Sequence, residues 1–253
     1  MNFLNNFNPI LLAFLGTMFT FFITSLGAAL VFFFKKTNKL IMNIMLSISA
    51  GVMLAAAFWS LLNPASTLAC ELHLNAFLII TVGFILGGLL IFIGNKLNVN
   101  NKRTSLLLFS ITLHNIPEGL AIGVAFGSIL YGLENANLYQ AILLTIGIGI
   151  QNFPEGSAIS LPLLRDGYSR KKAFIYGCMS GIVEPISGVI GALLAIKVKY
   201  ILPFLLAFAA GAMIYVVTEE IIPECQNNNK KDLMALFTII GFSIMMLLDI
   251  SFS

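Results

Sequence analysis

Apolar segments of about 20 residues, the length a helix needs to cross the hydrocarbon core of a bilayer, recur along this chain with only short polar breaks. No water is available in lipid, so the backbone of each segment must satisfy itself as a helix. On that basis about eight spans are expected, near residues 9–34, 40–62, 74–95, 104–130, 139–164, 172–195, 201–222 and 232–250. The fold class is all-α, a polytopic membrane bundle, and residues 1–253 form one integral membrane domain with no room for a separate soluble one. The charged share is 10%, against the roughly 25% usual in a soluble domain.

The Lys/Arg bias of short loops orients such a bundle. Lys35, Lys36 and Lys39 follow the first span; Lys96, Lys102 and Arg103 the third; Arg165, Arg170, Lys171 and Lys172 the fifth; Lys230 and Lys231 the seventh. Only Lys197 and Lys199 fall on the other side. Both termini should therefore face outward, from what we expect to be a bacterial inner (plasma) membrane. Charges dispersed among loops in this way make a poor nucleic-acid surface, and no nucleic-acid partner is expected. Met1 to Ile10 has no Lys or Arg, so a secretory signal peptide is not expected either. Cys70, Cys178 and Cys225 are assigned to an outer loop, the sixth span and a cytoplasmic loop. With no Cys-x-x-Cys pair, thiol chemistry has little support.

Two of the spans carry one motif. Leu113 to Ile122 reads Leu-His-Asn-Ile-Pro-Glu-Gly-Leu-Ala-Ile, and Ile150 to Ile159 reads Ile-Gln-Asn-Phe-Pro-Glu-Gly-Ser-Ala-Ile. Each copy sets a Glu four residues after a potential ligand, His114 before Glu118 and Gln151 before Glu155, and residues four apart share a helix face. Each has a Pro before that Glu, which leaves the carbonyl one turn back without its ladder hydrogen bond. Val183-Glu184-Pro185 in the sixth span supplies a third intramembrane carboxylate. At about 1.5 Å per residue, His114, Gln151 and Glu184 all fall near the middle of the bilayer. The two motif copies run in opposite directions, so the repeat is inverted, a transporter signature with its site near the midplane.

A carboxylate at that depth costs about 2.5–3.5 kcal/mol even on the mild insertion scale. No Lys or Arg is near enough in depth to pair with Glu118, Glu155 or Glu184, which leaves protonation or a bound cation. Together with His114, Asn115, Gln151 and Asn152 they suit a divalent ion. An intramembrane metal-dependent hydrolase is the rival class, but the His-Glu-x-x-His pattern is absent. A divalent-cation channel stays open as a third reading. Elsewhere, the Thr and Ser of span one read as self-satisfied packing and the small residues of span two as a helix interface. His73 and Glu134 read as solvated loop residues, while Glu219, Glu220 and Asp249 are candidate lining acids near span ends.

These residues resemble the ZIP (Zrt/Irt-like) family of divalent metal transporters, and specifically its bacterial GufA-like branch. The resemblance rests on His114-Asn115-Ile116-Pro117-Glu118-Gly119, Gln151-Asn152-Phe153-Pro154-Glu155-Gly156 and Val183-Glu184-Pro185. It implies a transporter rather than an enzyme, with a binuclear site. One metal would take His114, Glu118, Gln151 and Glu155, with Met53 reaching in; the other would take Asn115, Glu118, Asn152, Glu155 and Glu184. Taken alone, Met53 reads as core packing. The resemblance also implies that spans one, four, five and six move against the other four. Two departures stand out: no His-rich stretch follows span three, and positions 151 and 152 carry amides where some relatives have His and Asp. Zn(II) is the expected substrate, with Cd(II), Fe(II), Mn(II) and Co(II) open, because borderline ligands do not single out one ion. The partners expected are divalent metal ions and the lipid bilayer, with a homodimer open.

Overall fold

The computed structural model describes residues 7–33, 39–97, 103–132, 136–226 and 229–252. The expectations for Lys35, Lys36, Lys102 and Glu134 lie outside them. Eight rods emerge: α1 (Pro9–Ala28) with a 3-10 turn Ala29–Phe32; α2 (Lys39–Ala56) running on into α3 (Asn63–Glu71); α4 (Ala76–Leu97); α5 (Arg103–Leu130); α6 (Leu138–Arg165); α7 (Arg170–Gly181) with α8 (Val183–Leu193); α9 (Ala195–Val216) with α10 (Ile222–Gln226); and α11 (Lys231–Phe252). Seven of these are long and apolar enough to cross a membrane. The remaining rod, α6, has the length, but Gln151, Asn152, Glu155, Ser157 and Ser160 dilute its apolar character. The polar residues that lower it are buried against other helices.

Glycine decides which helices touch closely. A methyl group on Gly27 of α1 would overlap the carbonyl oxygen of Phe153, and one on Gly156 of α6 the carbonyl oxygen of Thr24, so α1 and α6 lie backbone to backbone. Reciprocal contacts of the same kind join α4 to α9 at Gly87 and Gly211, and α2 to α11 at Gly51 and Gly241. The third motif is brought in by α5, whose Gly119 and Gly123 seat against Glu184 and Gly188 of α8. Small residues permit this approach, and van der Waals contact at short range is what holds membrane helices together. The result is two groups, α1, α5, α6 and α7–α8 in one and α2–α3, α4, α9–α10 and α11 in the other. The glycine-to-backbone approaches all fall within a group. Between groups, α5 packs on α9 and α2 on α6, and Ser49 of α2 and Ser157 of α6 form a 3.3 Å hydroxyl pair.

Two sequence expectations are corrected by proline chemistry. Residues 63–71 were expected as a loop, yet the second rod continues helically to Glu71 through a π turn at Ala57–Leu62, with Pro64 at the start of α3. The seventh rod starts at Ala195 rather than 201 and does the same, with a π turn at Val217–Ile221 before Pro223 in α10. A proline cannot donate to the carbonyl one turn back, and widening that turn re-satisfies the backbone without ending the helix. Sharp punctuation comes elsewhere, at Leu72–His73, where His73 has φ 54°, and at Leu194, which joins α8 to α9.

Cys225, expected in a loop, is buried in α10, and Cys70 is exposed at the end of α3. Cys225 would thus escape a thiol reagent from either side. The orientation is better read from Lys231→Cys, at the exposed start of α11. In intact cells an impermeant maleimide is expected to modify Cys70 and to spare Lys231→Cys; the reverse pattern would invert the bundle.

Candidate metal centre

The motif helices α5 and α6 run antiparallel and bring His114, Glu118, Gln151 and Glu155 into one knot. The Nε2 atom of His114 lies 3.1 Å from Glu155 Oε1 and 3.3 Å from Glu118 Oε1, and the Gln151 amide donates to Glu118 Oε1. Ligand atoms of His114, Glu118 and Glu155 all fall within 4.8 Å of one another, as ligands of a single ion must. Exposure of these four side chains is 1% or less, so the knot is enclosed by protein.

A second knot forms one residue along each motif. Asn152 Nδ2 donates to Glu184 Oε2 at 2.8 Å, and Thr24 Oγ1 contacts Glu184 Oε1 at 3.4 Å. Asn115 Nδ2 donates to the carbonyl of Ser180 in α7 at 3.0 Å. The sixth rod is interrupted for one residue at Ile182, which keeps helical φ and ψ, and Glu184 stands in the first turn of α8 just before Pro185. A discontinuous helix beside buried acids is the arrangement seen at ion sites in membrane carriers.

The polar residues of both motifs share a further property. His114 Nδ1, Asn115 Oδ1, Glu118 Oε2, Gln151 Oε1, Asn152 Oδ1 and Glu155 Oε2 are buried without a hydrogen-bond partner. Buried polar atoms are satisfied in the great majority of cases, so six together in one region mark a place built to receive something electron-poor. No Lys or Arg is found among the buried charged residues described. A small cation whose ligands are carboxylate, imidazole and amide oxygen fits both facts.

Of the residues singled out from sequence, His114, Glu118, Gln151 and Glu155 meet directly, and Asn152 meets Glu184. Met53 is buried at 1% exposure within the main apolar core, and the described polar contacts of the knot do not include it. Sequence reading missed Thr24. Its stripe with Thr17 and Thr20 bonds back to α1 carbonyls as expected, but all three are fully buried and Thr24 also reaches Glu184. Three threonines on one face of a lipid-facing helix were the available signal. Asp249 accepts from Ser60 at 3.1 Å near the far end of the bundle, away from both knots.

Comparison with known proteins agrees with this chemistry. The profile of the ZIP zinc transporter family matches residues 93–249. The zinc transporter ZIP11 of Bos taurus is 36% identical over 338 aligned positions, covering 98% of this chain and 99% of that protein. The zinc transporter ZupT of Streptococcus mutans is 33% identical over 258 positions, covering 92% and 94%. The zinc transporter GufA of Myxococcus xanthus is 34% identical over 191, covering 70% and 72%.

Proposed function

The chain belongs to the ZIP family of zinc transporters, and from that premise we propose that it carries Zn(II) into the cytoplasm by alternating access through a binuclear site. The first ion is held by His114, Glu118, Gln151 and Glu155, with Met53 at its edge. The second is held by Asn115, Glu118, Asn152, Glu155 and Glu184, so that Glu118 and Glu155 face both ions. The observation that carries this reading is the set of six unpartnered buried polar atoms, one from each of six motif residues on α5 and α6. The knot of three ligand atoms within 4.8 Å supports the first ion, and the Asn152–Glu184 pair supports the second.

Alternating access is supported by how the helices are joined. Within each group the backbones interlock at glycines, and the described glycine-to-backbone approaches do not cross from one group to the other, which supports a seam along which rigid bodies slide. The basic loops support a cytoplasmic position for the Arg165 face. The test is uptake by proteoliposomes containing the purified protein, with Zn(II), Cd(II), Fe(II), Mn(II) and Co(II) compared. Saturable zinc uptake is expected; flux that rises linearly with metal would point to a channel and sink the carrier reading.

Asn152 gives a sharper test of the second ion. Two divalent ions bring four positive charges to three carboxylates, Glu118, Glu155 and Glu184. Asn152→Asp supplies the fourth negative charge, so equilibrium zinc binding should tighten or rise in stoichiometry. Maximal uptake should fall or hold, because a carrier that binds its ground state more firmly releases it more slowly. Unchanged binding would remove Asn152 from the site.

A further inference from the structure

Resting on the alternating-access reading, we propose that Arg165 and Glu224 form a latch that holds the two helix groups together at the basic-loop face while the opposite face stands open. Arg165 ends α6 in the first group, and Glu224 lies on α10 in the second. The Arg165 guanidinium meets Glu224 Oε1 and is oriented by Asp166, whose Oδ1 accepts from Nη2 at 2.9 Å and Nε at 3.0 Å. The two partners are 27% and 22% exposed, sheltered enough to be worth more than a free surface pair. A planar guanidinium held by one carboxylate and presented to another is a geometry lysine could not provide.

At the far face the same seam gapes. A cleft of about 330 Å³ runs between α3, α5, α6 and α9, and a second of about 360 Å³ between α3, α6 and α11. They share Ser60, Pro64, Asn137, Gln140 and Leu144. The first reaches down to Ala121, three residues from Glu118, and the second to Ile150, next in the chain to Gln151. The walls of both come from the two groups, so each cleft is a gap in the seam that the latch closes at the other end.

The inverted repeat explains why only one end is tied. Arg165 stands ten residues after Glu155, and the position ten after Glu118 is Ser128, a wall residue of the first cleft. Glu224 follows Pro223, and the residue that follows the corresponding Pro64 is Ala65. Neither charge of the latch is repeated at the corresponding position on the open face, where Ser128 and Ala65 stand. The sequence therefore favours the state open away from the basic loops, and metal bound at the centre leaves toward those loops only after Arg165 and Glu224 part.

The test uses full-length protein in liposomes with Cys70→Ser, Cys178→Ala and Cys225→Ser, a background first shown to take up zinc. Arg165→Cys and Glu224→Cys are added and bridged by a short, reducible bifunctional thiol reagent. Uptake is expected to fall by about tenfold or more, as when a required state is removed from the population, and to return on reduction. In the same cysteine-free background, a Ser128→Cys reporter should label about two- to fivefold more slowly with an impermeant maleimide when Arg165→Gln is present, the range a partly exposed ion pair supports. Bridged protein that transports at its reduced rate, or Ser128→Cys labelling unmoved by Arg165→Gln, would overturn the latch. Glu118→Ala run beside these reports on the metal centre alone, so failure of that reading and failure of the latch give different patterns.

Discussion

Zinc uptake by Glu118→Ala, at membrane levels matched to the parent protein, is expected to drop to that of empty liposomes, and Glu155→Ala should do the same. Substitutions of groups that only orient metal ligands typically cost about 10–100-fold, and a carboxylate facing two ions should cost more. The geometry sharpens the expectation: His114 Nε2 lies 3.3 Å from Glu118 and 3.1 Å from Glu155, so losing either acid also removes one of the two carboxylates that hold the imidazole. Glu184→Ala should retain partial uptake, since its contacts are Asn152 and Thr24 rather than the His114 knot. The bland alternative makes the opposite forecast. If the acids only pack, removing one of them would relieve the cost of a buried charge, leaving uptake intact and the metal-free protein more stable. Parental uptake by Glu118→Ala would decide for that alternative.

The second large effect needs no change of charge. Gly156→Ala places a methyl on the carbonyl oxygen of Thr24, and α1 has to move off α6 to admit it. Overpacking of this kind costs about 1–3 kcal/mol. More telling than the stability loss is the path of the displacement, which carries Thr24 away from Glu184 and should abolish most uptake. Gly147→Ala on the same helix is the control, because nothing lies within 4 Å of its added methyl. Thermal unfolding in detergent and uptake should both be near parental for Gly147→Ala and both reduced for Gly156→Ala. Equal behaviour of the two would mean that α1 and α6 do not seat as described.

Much of this architecture was legible because the bilayer permits so few structures. Residue runs such as 76–97 could only be helices, and Glu118, Glu155 and Glu184, with no Lys or Arg at their depth, were left to protonation or a bound cation. The helix ends were less legible. Pro64 and Pro223 read as terminators in a soluble context, yet a π turn before each lets the rod continue, and nothing local in residues 57–62 announces that choice. Asn115 shows a different limit: its alignment with Asn152 is visible in the motif, but its partner, the Ser180 carbonyl, is set by how α7 crosses α5. The same holds for Arg165 and Glu224, separated by most of two spans and joined only once the helices are packed.

The polarity of α6 has a consequence for how the protein is made. A segment carrying Gln151, Asn152, Glu155, Ser157 and Ser160 partitions poorly into lipid on its own, and an insertion machine testing it in isolation would tend to reject it. α1 precedes it by more than a hundred residues and already presents a groove where Gly27 meets Phe153 and Thr24 meets Gly156. α5, also ahead of it in the chain, offers His114 and Glu118 as polar partners. Synthesis from the N-terminus thus delivers the least membrane-soluble helix last among these three, into a cradle whose glycine and carboxylate contacts replace the lipid it could not tolerate.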